Sequence, residues 1–511
     1  MKPSRWMLPA VVVGLCLALS LAWAQPSLDI GPYLQNVSAT STVVMWETTE
    51  PVAGSVAYGT TADLPGVVAD GAPVAIHELK LANLTPATYY GYRISWPGYE
   101  GGMFRFRTFP APNATRFRIV AYGDSRSNVE VHTRIASLIF AQQPALVINT
   151  GDLVTDGTKA EQWKPQFFDP LARVMRSISL FPVLGNHDRN ADYYYDHMSL
   201  PNNEAWYSFD CGIAHFVVLD SNQPYQEGTP QYQWLEQDLA SVKEPNRWLI
   251  PVFHAPMYSA HPTRGVNSNR WAWERLFERN AVDLTLNGHD HYYFRTDPIG
   301  PVHALTGVVR LPEGGRYGAV HIVTGGGGAP LYPVAEPPYS AFGLSVYHIV
   351  VLDFDGPAVS GRTIDIDGNV IDSFTLERGR PAPPDTFCAY ETMLWERDAV
   401  AGAVPLKASD AGSVEGKGSI TTKSPFPMRV AGEVAWRAPE GWTISGTPDR
   451  FAADPGAEVK LQFRVKGEWA KDAPLPTATV RLTDADGGLD FRNREFIFSP
   501  VRVAPPPEPA P

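Results

Sequence analysis

The sequence predicts a multidomain protein in which an α/β core is flanked by two β-sandwich domains. Its 511 residues are too many for one hydrophobic core, so we expect about three domains. The middle of the chain repeats an order of apolar strand, polar break and helix, which is typical of α/β folds. Short β-prone runs with turn residues between them come before and after that region, and they predict the two sandwiches.

Composition excludes one class of function. The hydrophobic content of 44% and the charged content of 19% indicate a folded globular protein. The formal net charge of -12 argues against a nucleic-acid-binding surface, for which a basic patch is expected. The negative net charge does not exclude small anionic substrates, because bound metal ions can outweigh the local acidic charge.

Residues 1–24 are predicted to be a signal peptide. Lys2 and Arg5 supply a positive start, Met7 to Leu21 is apolar, and the small residues around Ala24 form a cleavage site. The alternative is an uncleaved anchor helix, since the apolar run is long for a signal. The small-residue site favours cleavage, so we expect a periplasmic or secreted protein without a transmembrane segment.

The mature chain would keep two cysteines, Cys211 and Cys388. An exported protein allows them to form a disulfide. They lie in different predicted domains, so two buried free thiols are an equal alternative.

Residues 25–112 are predicted to form the first β-sandwich. Thr42 to Glu47 and Ser55 to Gly59 have the composition of short strands. The run from Leu84 to Tyr90 has the pattern Leu-x-Pro-x-Thr-x-Tyr. It resembles the corner of fibronectin type III domains, in which a Tyr hydroxyl ties the chain back to the backbone. No residue of this segment is predicted to carry chemistry.

The predicted α/β core covers residues 115–377, and its apolar runs end at polar residues of a particular kind. Because α/β folds place their sites at the carboxyl ends of strands, we expect these residues to lie together. They are Asp124, Asp152, Asn186, His254, His289 and His291. Carboxylate, amide and imidazole ligands suit two metal ions of the iron, manganese or zinc type. The first functional hypothesis is therefore hydrolysis by a metal-activated water.

The six residues divide between two predicted metal sites. Asp152 is the predicted bridge, because each oxygen of a carboxylate can bind one ion. Asp124 and His291 would complete the first site. The second would be completed by the remaining ligands, Asn186, His254 and His289. Since His289 and His291 alternate along the chain, the backbone has to turn between them, and we expect Gly288 to allow that turn.

These motifs in this order resemble the calcineurin-like metallophosphoesterases. The resemblance rests on Asp124, Gly151-Asp152, Gly185-Asn186-His187-Asp188, Val252-Phe253-His254 and Gly288-His289-Asp290-His291. With the fibronectin-like domain in front, residues 28 to 375 are similar to purple acid phosphatases. The resemblance implies a four-layer α/β/β/α core, a dimetal centre that also has Asp152 as the bridge, and hydrolysis of a small phosphoester.

Two positions depart from the family pattern. Thr155 stands where purple acid phosphatases have a Tyr ligand, so we expect a protein without their colour. Arg126 stands where other branches have a His ligand. Guanidinium does not bind metals, and its fork suits a phosphate. Substrate binding by Arg126 and pairing of Arg126 with a nearby carboxylate are equal alternatives.

The resemblance also implies catalytic histidines. His187 would lie over the phosphate beside Asn186, where it stabilises charge or protonates the leaving group. Asp188 is the expected hydrogen-bonding partner of His187. His261, seven residues after His254, is a second catalytic candidate.

The predicted function is an exported acid-phosphatase-like enzyme that hydrolyses phosphate monoesters by attack of a metal-bound hydroxide. A phosphodiesterase of the same superfamily is the nearest alternative. A non-catalytic surface-binding protein with a degenerate metal site is the alternative from another class.

The remaining segments carry no predicted chemistry. Gly325 to Gly328 lacks the Lys and Ser or Thr of a phosphate-binding loop, so a tight turn is expected. Residues 378–387 are a predicted Pro-rich linker, residues 388–503 the second β-sandwich, and residues 504–511 a disordered tail.

Overall fold

The computed structural model describes residues 25–242, 247–264, 267–303, 307–310, 319–337, 339–378, 395, 397–426, 429–470, 473–485 and 495–505. The predicted signal peptide, nearly all of the predicted linker, Cys388 and the end of the predicted tail lie outside these residues. Within them, no helix combines the length and the apolar character needed to cross a bilayer.

Two antiparallel sheets make up the N-terminal segment. Their strands are β1 (Leu28–Gln35), β2 (Thr42–Val52), β3 (Ser55–Gly59), β4 (Gly66–Ala69), β5 (Val74–Leu81), β6 (Tyr89–Trp96), β7 (Tyr99–Glu100) and β8 (Phe104–Arg107). One sheet has the order β1-β2-β5; in the other, β3 and β6 pair, with β4, β7 and β8 at their free edges. The Tyr90 hydroxyl accepts a hydrogen bond of 3.0 Å from the Thr85 backbone N–H, the contact expected of the corner motif. The fibronectin type III assignment itself stays a prediction.

The N-terminal segment shares a hydrophobic core with the central region. One continuous cluster of buried side chains runs from Ile30 in β1 to Leu376 near the end of the central region. Two buried hydroxyls cross the junction: Tyr33 donates to the His197 carbonyl and Tyr92 to the Arg176 carbonyl, each at 2.9 Å. The two segments therefore pack as one body.

The central region contains two mixed sheets. Their strands, with one hairpin, are β9 (Arg116–Tyr122), β10 (Leu146–Asn149), β11 (Ser179–Pro182), β12 (Tyr207–Cys211), β13 (Ala214–Leu219), β14 (Trp248–Phe253), β15 (Leu284–Asn287), β16 (Tyr293–Thr296), β17 (Ile299–His303), β18 (Gly307–Arg310), β19 (Val320–Thr324), β20 (Ser340–Leu344), β21 (His348–Asp355), β22 (Ala358–Asp365) and β23 (Val370–Glu377). The six-stranded sheet has the order β11-β10-β9-β21-β22-β23, and the seven-stranded sheet has the order β12-β13-β14-β15-β19-β16-β20.

Parallel strands form the heart of each sheet. β9, β10 and β11 run parallel in the first, and β13, β14, β15 and β19 run parallel in the second. Every residue of β10, β14 and β15 is buried, as expected for strands covered on both faces. All these parallel strands end on the side where the polar residues of the predicted site follow them.

The helices connect these strands. They are α1 (Val129–Gln142), α2 (Ala160–Trp163), α3 (Asp169–Met175), α4 (Asp192–His197), α5 (Pro230–Ser241) and α6 (Asn269–Arg279), and a π-helical turn (Lys164–Phe168) joins α2 to α3. α1 begins where the Asn128 side chain accepts a hydrogen bond from the Val131 N–H, which satisfies a free donor of the first turn. The four-layer arrangement of helices and sheets stays a prediction.

The C-terminal part has a hydrophobic core of its own, which includes Trp442 and Phe463. Its described strands are β24 (Val404–Lys407), β25 (Ser413–Lys423), β26 (Val430–Arg437), β27 (Trp442–Thr447), β28 (Arg450–Ala453), β29 (Glu458–Glu468), β30 (Thr477–Asp484), β31 (Glu495–Phe498) and β32 (Val501–Ala504). They form sheets of order β25-β29-β27 and β28-β26-β30-β31, with β24 paired to β32. β32 includes Ala504, the first residue of the predicted tail.

A buried histidine gives the central region a pH-dependent contribution to stability. His215 of β13 lies between Asp210 of β12 and Asp238 of α5, with nitrogen-to-oxygen distances of 2.8 and 2.9 Å. Burial alone lowers the pKa of His215, but the hydrogen bonds to the two carboxylates raise it to about 9. A pKa raised on folding stabilises the folded state below the ordinary value near 6.5, and the effect is lost as pH rises through 9.

We therefore expect His215→Gln to lower the thermal midpoint most at pH 6 and least above pH 9. The charged His215 contributes at most about 3 kcal/mol to the free energy of unfolding. Thermal unfolding of both proteins between pH 6 and pH 10 measures it. A difference between their midpoints that stays constant with pH would contradict this account.

Candidate metal centre

The six predicted ligands come together where the carboxyl ends of the two sheets meet. In the first sheet, Asp124, Asp152 and Asn186 follow β9, β10 and β11, and in the second His254 follows β14 directly. His289 and His291 follow β15. Asp124, Asp152 and His254 are buried, and each offers a ligand atom within 4.8 Å of the others. Neither sheet alone supplies the cluster, so the packing of the two sheets creates it.

One group of ligand atoms surrounds the Asn186 side chain. Asn186 Oδ1 lies 3.1 Å from His254 Nε2 and 3.0 Å from His289 Nδ1. His254 Nε2 is also 3.3 Å from Asp152 Oδ1. Four side chains from both sheets therefore direct polar atoms towards one point.

A second group surrounds Asp124. Its Oδ1 lies 3.4 Å from His291 Nε2, and its Oδ2 accepts a hydrogen bond of 2.9 Å from the His289 backbone N–H. The ring of Tyr332 stacks on the ring of His291 with 4.0 Å between centroids. Asp152 lies between the two groups. Its Oδ1 faces His254 of the first group, and its Oδ2 faces Arg126.

Backbone carbonyls orient two of the imidazoles. Nδ1 of His254 donates to the Thr150 carbonyl at 2.9 Å, and Nδ1 of His291 donates to the Pro330 carbonyl at 2.7 Å. In the neutral rings, Nε2 therefore presents its lone pair to the cluster.

These lone pairs face other acceptors. His254 Nε2 points at the oxygens of Asn186 and Asp152, and His291 Nε2 points at a carboxylate oxygen of Asp124. Such atoms repel one another unless a proton or a cation lies between them. Burial lowers the pKa of His289 to about 3, so this ring is neutral. The donors around Asn186 therefore fit a metal ion, whereas the lone pair of His291 also faces the guanidinium of Arg126.

Several site residues have an unusual backbone conformation. Asp124, Asp152 and His289 have φ angles of 55°, 57° and 69°, a left-handed region that is costly for residues other than glycine. In the turn between the histidines the positive φ falls on His289, and Gly288 lets the backbone pass close to Asp124, since a Cβ there would lie 2.6 Å from Oδ2. Such conformations cluster at functional sites because the surrounding packing enforces them.

Glycines let the backbone pass close to the two carboxylates. A Cβ on Gly185 would lie 2.2 Å from the Asp152 backbone N and from Oδ1, and one on Gly325 would lie 2.7 Å from Asp124 Oδ2. Gly325 starts the glycine run that the sequence assigned to a tight turn. Gly327 of that run donates from its N–H to the Gly123 carbonyl at 2.8 Å, so the run holds the Asp124 loop. The sequence analysis missed this role, for which a glycine run directly after a buried strand was the available signal.

Asp188 ties together two of the ligand-bearing loops. Its buried carboxylate accepts backbone hydrogen bonds from Gly185 at 2.7 Å, Leu153 at 2.8 Å and Asp152 at 3.0 Å. Burial, followed by the negative charge of Asp152, raises its pKa to about 7. The expected pairing of Asp188 with His187 was wrong, because His187 Nδ1 donates instead to the Thr155 carbonyl at 2.7 Å.

Arg126 lies inside the cluster. Its Nε donates to Asp152 Oδ2 at 3.2 Å and its Nη2 lies 3.5 Å from His291 Nε2, while 12% of its side chain is exposed. Of the two alternatives for this residue, the structure has the carboxylate pairing. Substrate binding by Arg126 stays a prediction.

The two catalytic candidates border the cluster differently. His187 is partly buried, its backbone N–H donates to Asp152 Oδ1 at 2.9 Å, and its Nε2 lies 4.0 Å from Asp152 Oδ2. His261 lies further out: its ring is 5.5 Å from the ring of Tyr332, which in turn covers His291. Their catalytic roles stay predictions.

A buried acid between the two ligand histidines anchors the loop that carries His261. Asp290 accepts hydrogen bonds from Ser259, Tyr292 and Arg264. The guanidinium of Arg264 also lies 5.2 Å above the ring of Tyr332. Arg264 therefore places a second cation at the rim of the cluster, which the sequence analysis missed because Arg264 is not part of any motif.

Comparison with known proteins identifies this region. Residues 117–293 match the family model of the calcineurin-like phosphoesterases. This region is a calcineurin-like phosphoesterase domain. The match spans Asp124, Asp152, Asn186, His254, His289 and His291, so it includes every residue that the sequence analysis proposed as a metal ligand.

The phosphoesterase domain has relatives among purple acid phosphatases. Purple acid phosphatase 15 of Arabidopsis thaliana is 28% identical over 282 residues, which are 45% of this chain and 53% of that protein. Acid phosphatase type 7 of Homo sapiens is 26% identical, over 59% of this chain and 77% of its own. A nucleotide pyrophosphatase/phosphodiesterase of Hordeum vulgare is 27% identical, over 54% of this chain and 87% of that protein.

Some related proteins differ in activity or in length. Probable inactive purple acid phosphatase 27 of Arabidopsis thaliana is 27% identical over 60% of this chain. This chain spans only 53% and 58% of the length of Purple acid phosphatases 15 and 27.

The fold of the phosphoesterase domain is also found in a solved structure. A purple acid phosphatase from yellow lupin (Lupinus luteus) seeds superposes with a TM-score of 0.60 at 22% identity, covering 70% of this chain and 75% of that one. The similarity to purple acid phosphatases predicted from the ordered motifs is confirmed.

Proposed function

We propose that the protein is an exported, metal-dependent phosphoesterase that hydrolyses phosphate monoesters. The observation that carries the proposal is the convergence of Asp124, Asp152, Asn186, His254, His289 and His291 on one buried cluster. Metal ions held by these side chains would supply an activated water and neutralise phosphate charge. Iron, manganese and zinc all suit the ligand set.

Three side chains are proposed to act on the phosphoester itself. Arg126 keeps N–H donors beyond the bond from its Nε to Asp152, and these can contact phosphate oxygens. Asn186 adds its amide group, which lies at the same cluster. His187 has its Nδ1 bonded to the Thr155 carbonyl and 27% of its side chain exposed, so the Nε2–H of its imidazolium form would be available to protonate a leaving alkoxide.

The charges around the cluster favour a monoester over a diester. Arg126 lies within the cluster and Arg264 lies at its rim. Two fixed cations interact more strongly with the two negative charges of a monoester than with the single charge of a diester. His261, linked to this rim through Tyr332, is proposed as a second group that assists the leaving alkoxide.

A phosphodiesterase is the second candidate function. A relative named nucleotide pyrophosphatase/phosphodiesterase aligns with this chain over 87% of its own length. Its name includes a diesterase activity, which supports the second candidate. A surface-binding protein without activity has less support, although relatives named inactive exist, because all six predicted metal ligands are present in this chain.

Metal analysis combined with two substrates tests these functions. We expect the purified protein to contain metal, to lose activity with a chelator, and to hydrolyse 4-nitrophenyl phosphate at least about 10-fold more efficiently than bis(4-nitrophenyl) phosphate. Faster hydrolysis of the diester would favour the second candidate. Bound metal without hydrolysis of either substrate would favour the binding protein.

The role of His187 predicts a loss that depends on the leaving group. His187→Ala is expected to lower kcat for an alkyl phosphate by about 100-fold or more, because a poor leaving group needs a proton. The loss for 4-nitrophenyl phosphate should be much smaller, since nitrophenolate leaves without protonation. Measured kcat values for both substrates test this, and equal losses would contradict leaving-group protonation by His187.

A further inference from the structure

The two groups of ligand atoms are not equivalent, because a side-chain cation already lies at one of them. The guanidinium of Arg126 contacts Asp152 Oδ2 at 3.2 Å and His291 Nε2 at 3.5 Å. These are two of the atoms that the group around Asp124 would offer to a metal ion. A metal ion would approach them to about 2.1 Å, which the guanidinium in this position prevents.

The group around Asp124 is also short of ligands. Among the described residues it has Asp124, Asp152 and His291 as protein ligands. The neighbouring Thr155 hydroxyl donates to Gln166 Oε1 at 3.0 Å and contacts Ser127 at 3.4 Å, so it is engaged elsewhere. Three ligands and an adjacent positive charge make a weak cation site.

The group around Asn186 has neither defect. It has four ligands, namely Asp152 Oδ1, Asn186, His254 and His289. Arg126 contacts the other oxygen of Asp152, so Oδ1 stays available. Four ligands are enough for a metal site of ordinary affinity.

The backbone holds Arg126 in this position from both sides. Its N–H donates to the Asp152 carbonyl at 3.3 Å, and its carbonyl accepts from the Asn128 N–H at 3.1 Å. Gly328 packs closely against this loop, since a Cβ there would lie 2.5 Å from the Ser125 carbonyl oxygen. The Arg126 backbone is therefore fixed where its side chain reaches Asp152.

We propose that Arg126 takes the place of the second metal ion. The protein then holds one metal ion tightly at the group around Asn186, and the guanidinium neutralises Asp152 as a built-in cation. This inference rests on the proposed metal-dependent function and gives it a different form from the dimetal centre that the family resemblance implies. A further ion binds only by displacing Arg126 from Asp152, which makes that binding weak.

Titration of the metal-free full-length protein with Zn²⁺, followed by calorimetry and elemental analysis, tests the inference without an activity assay. We expect one tight site in the wild type and a second site at least 100-fold weaker. Arg126→Gln removes the charge and should tighten the second site at least 10-fold. Arg126→His also adds a ligand and should tighten it further. Arg126→Lys keeps the charge and should leave the second site weak.

Arg116→Gln is the matched control, because Arg116 is exposed and pairs with Asp355 at the opposite end of β9 from the cluster. It should bind Zn²⁺ as the wild type does. Two tight sites in the wild type, or a second site that Arg126→Gln leaves unchanged, would overturn the inference and leave the proposed function standing. A wild-type protein that binds no Zn²⁺ would overturn both. Should Arg126→Gln fail to fold, the comparison of Arg126→His with Arg126→Lys still decides.

Discussion

Replacing Asp152 by Asn is expected to lower kcat/KM for an aryl phosphate by at least about 1000-fold. Asp152 lies close to both groups of ligand atoms, since its Oδ1 is 3.3 Å from His254 Nε2 and it offers an oxygen within 4.8 Å of Asp124. Asn has almost the same shape, but it removes the negative charge and places an NH₂ donor where an acceptor is needed. Steady-state kinetics with 4-nitrophenyl phosphate and elemental analysis of the same protein measure the effect.

Asp169→Asn is a suitable control, because Asp169 is exposed and pairs only with Lys164 among the described residues. We expect its activity and metal content to equal those of the wild type. An Asp152→Asn variant that keeps both its metal and most of its activity would rule out the assigned role of Asp152.

Asp188→Ala is expected to lower the thermal midpoint by roughly 6 to 12 °C. Its carboxylate satisfies the backbone N–H groups of Asp152, Leu153 and Gly185 in the buried interior. A buried donor without a partner costs about 1 to 3 kcal/mol, so losing several at once removes about 3 kcal/mol or more. Differential scanning calorimetry of the wild type and the variant measures the change.

The Asp188→Ala variant should also lose most of its activity, because the loops of Asp152 and Asn186 are no longer held together. Asp169→Ala, which removes an exposed carboxylate, should change the midpoint by less than about 2 °C. If Asp188→Ala has the same thermal midpoint as Asp169→Ala, the Asp188 carboxylate does not hold these loops together.

The strands and the residues after them could be predicted because buried parallel strands are continuous apolar runs. β3 begins and ends where the sequence predicts, and β10, β14 and β15, whose residues are all buried, each precede a predicted ligand. β11 ends at Pro182, although Val183 and Leu184 are also apolar. An apolar run predicts which residues are buried, and burial continues beyond the last residue that pairs with a neighbouring strand.

Side-chain direction at the site could not be predicted, because it depends on backbone conformations that the sequence does not display. Asp188 follows His187, which suggested that the two would pair, but the tight turn from Gly185 directs the carboxylate back to the backbone. Arg126 reaches Asp152 in a loop where Asp124 and Ser127 both have positive φ. Neither residue is a glycine, so no residue type marked these positions.

The core shared by the N-terminal segment and the phosphoesterase domain has a consequence for how this protein can be divided. The ring of Phe109, just past the last N-terminal strand, lies 6.0 Å from that of Phe181 in β11, the strand that leads to Asn186. A fragment that starts after Phe109 would expose this apolar surface directly behind a ligand loop. The smallest unit expected to fold is therefore the pair of segments, whereas the C-terminal part has a separate core and is the piece that a truncation can remove first.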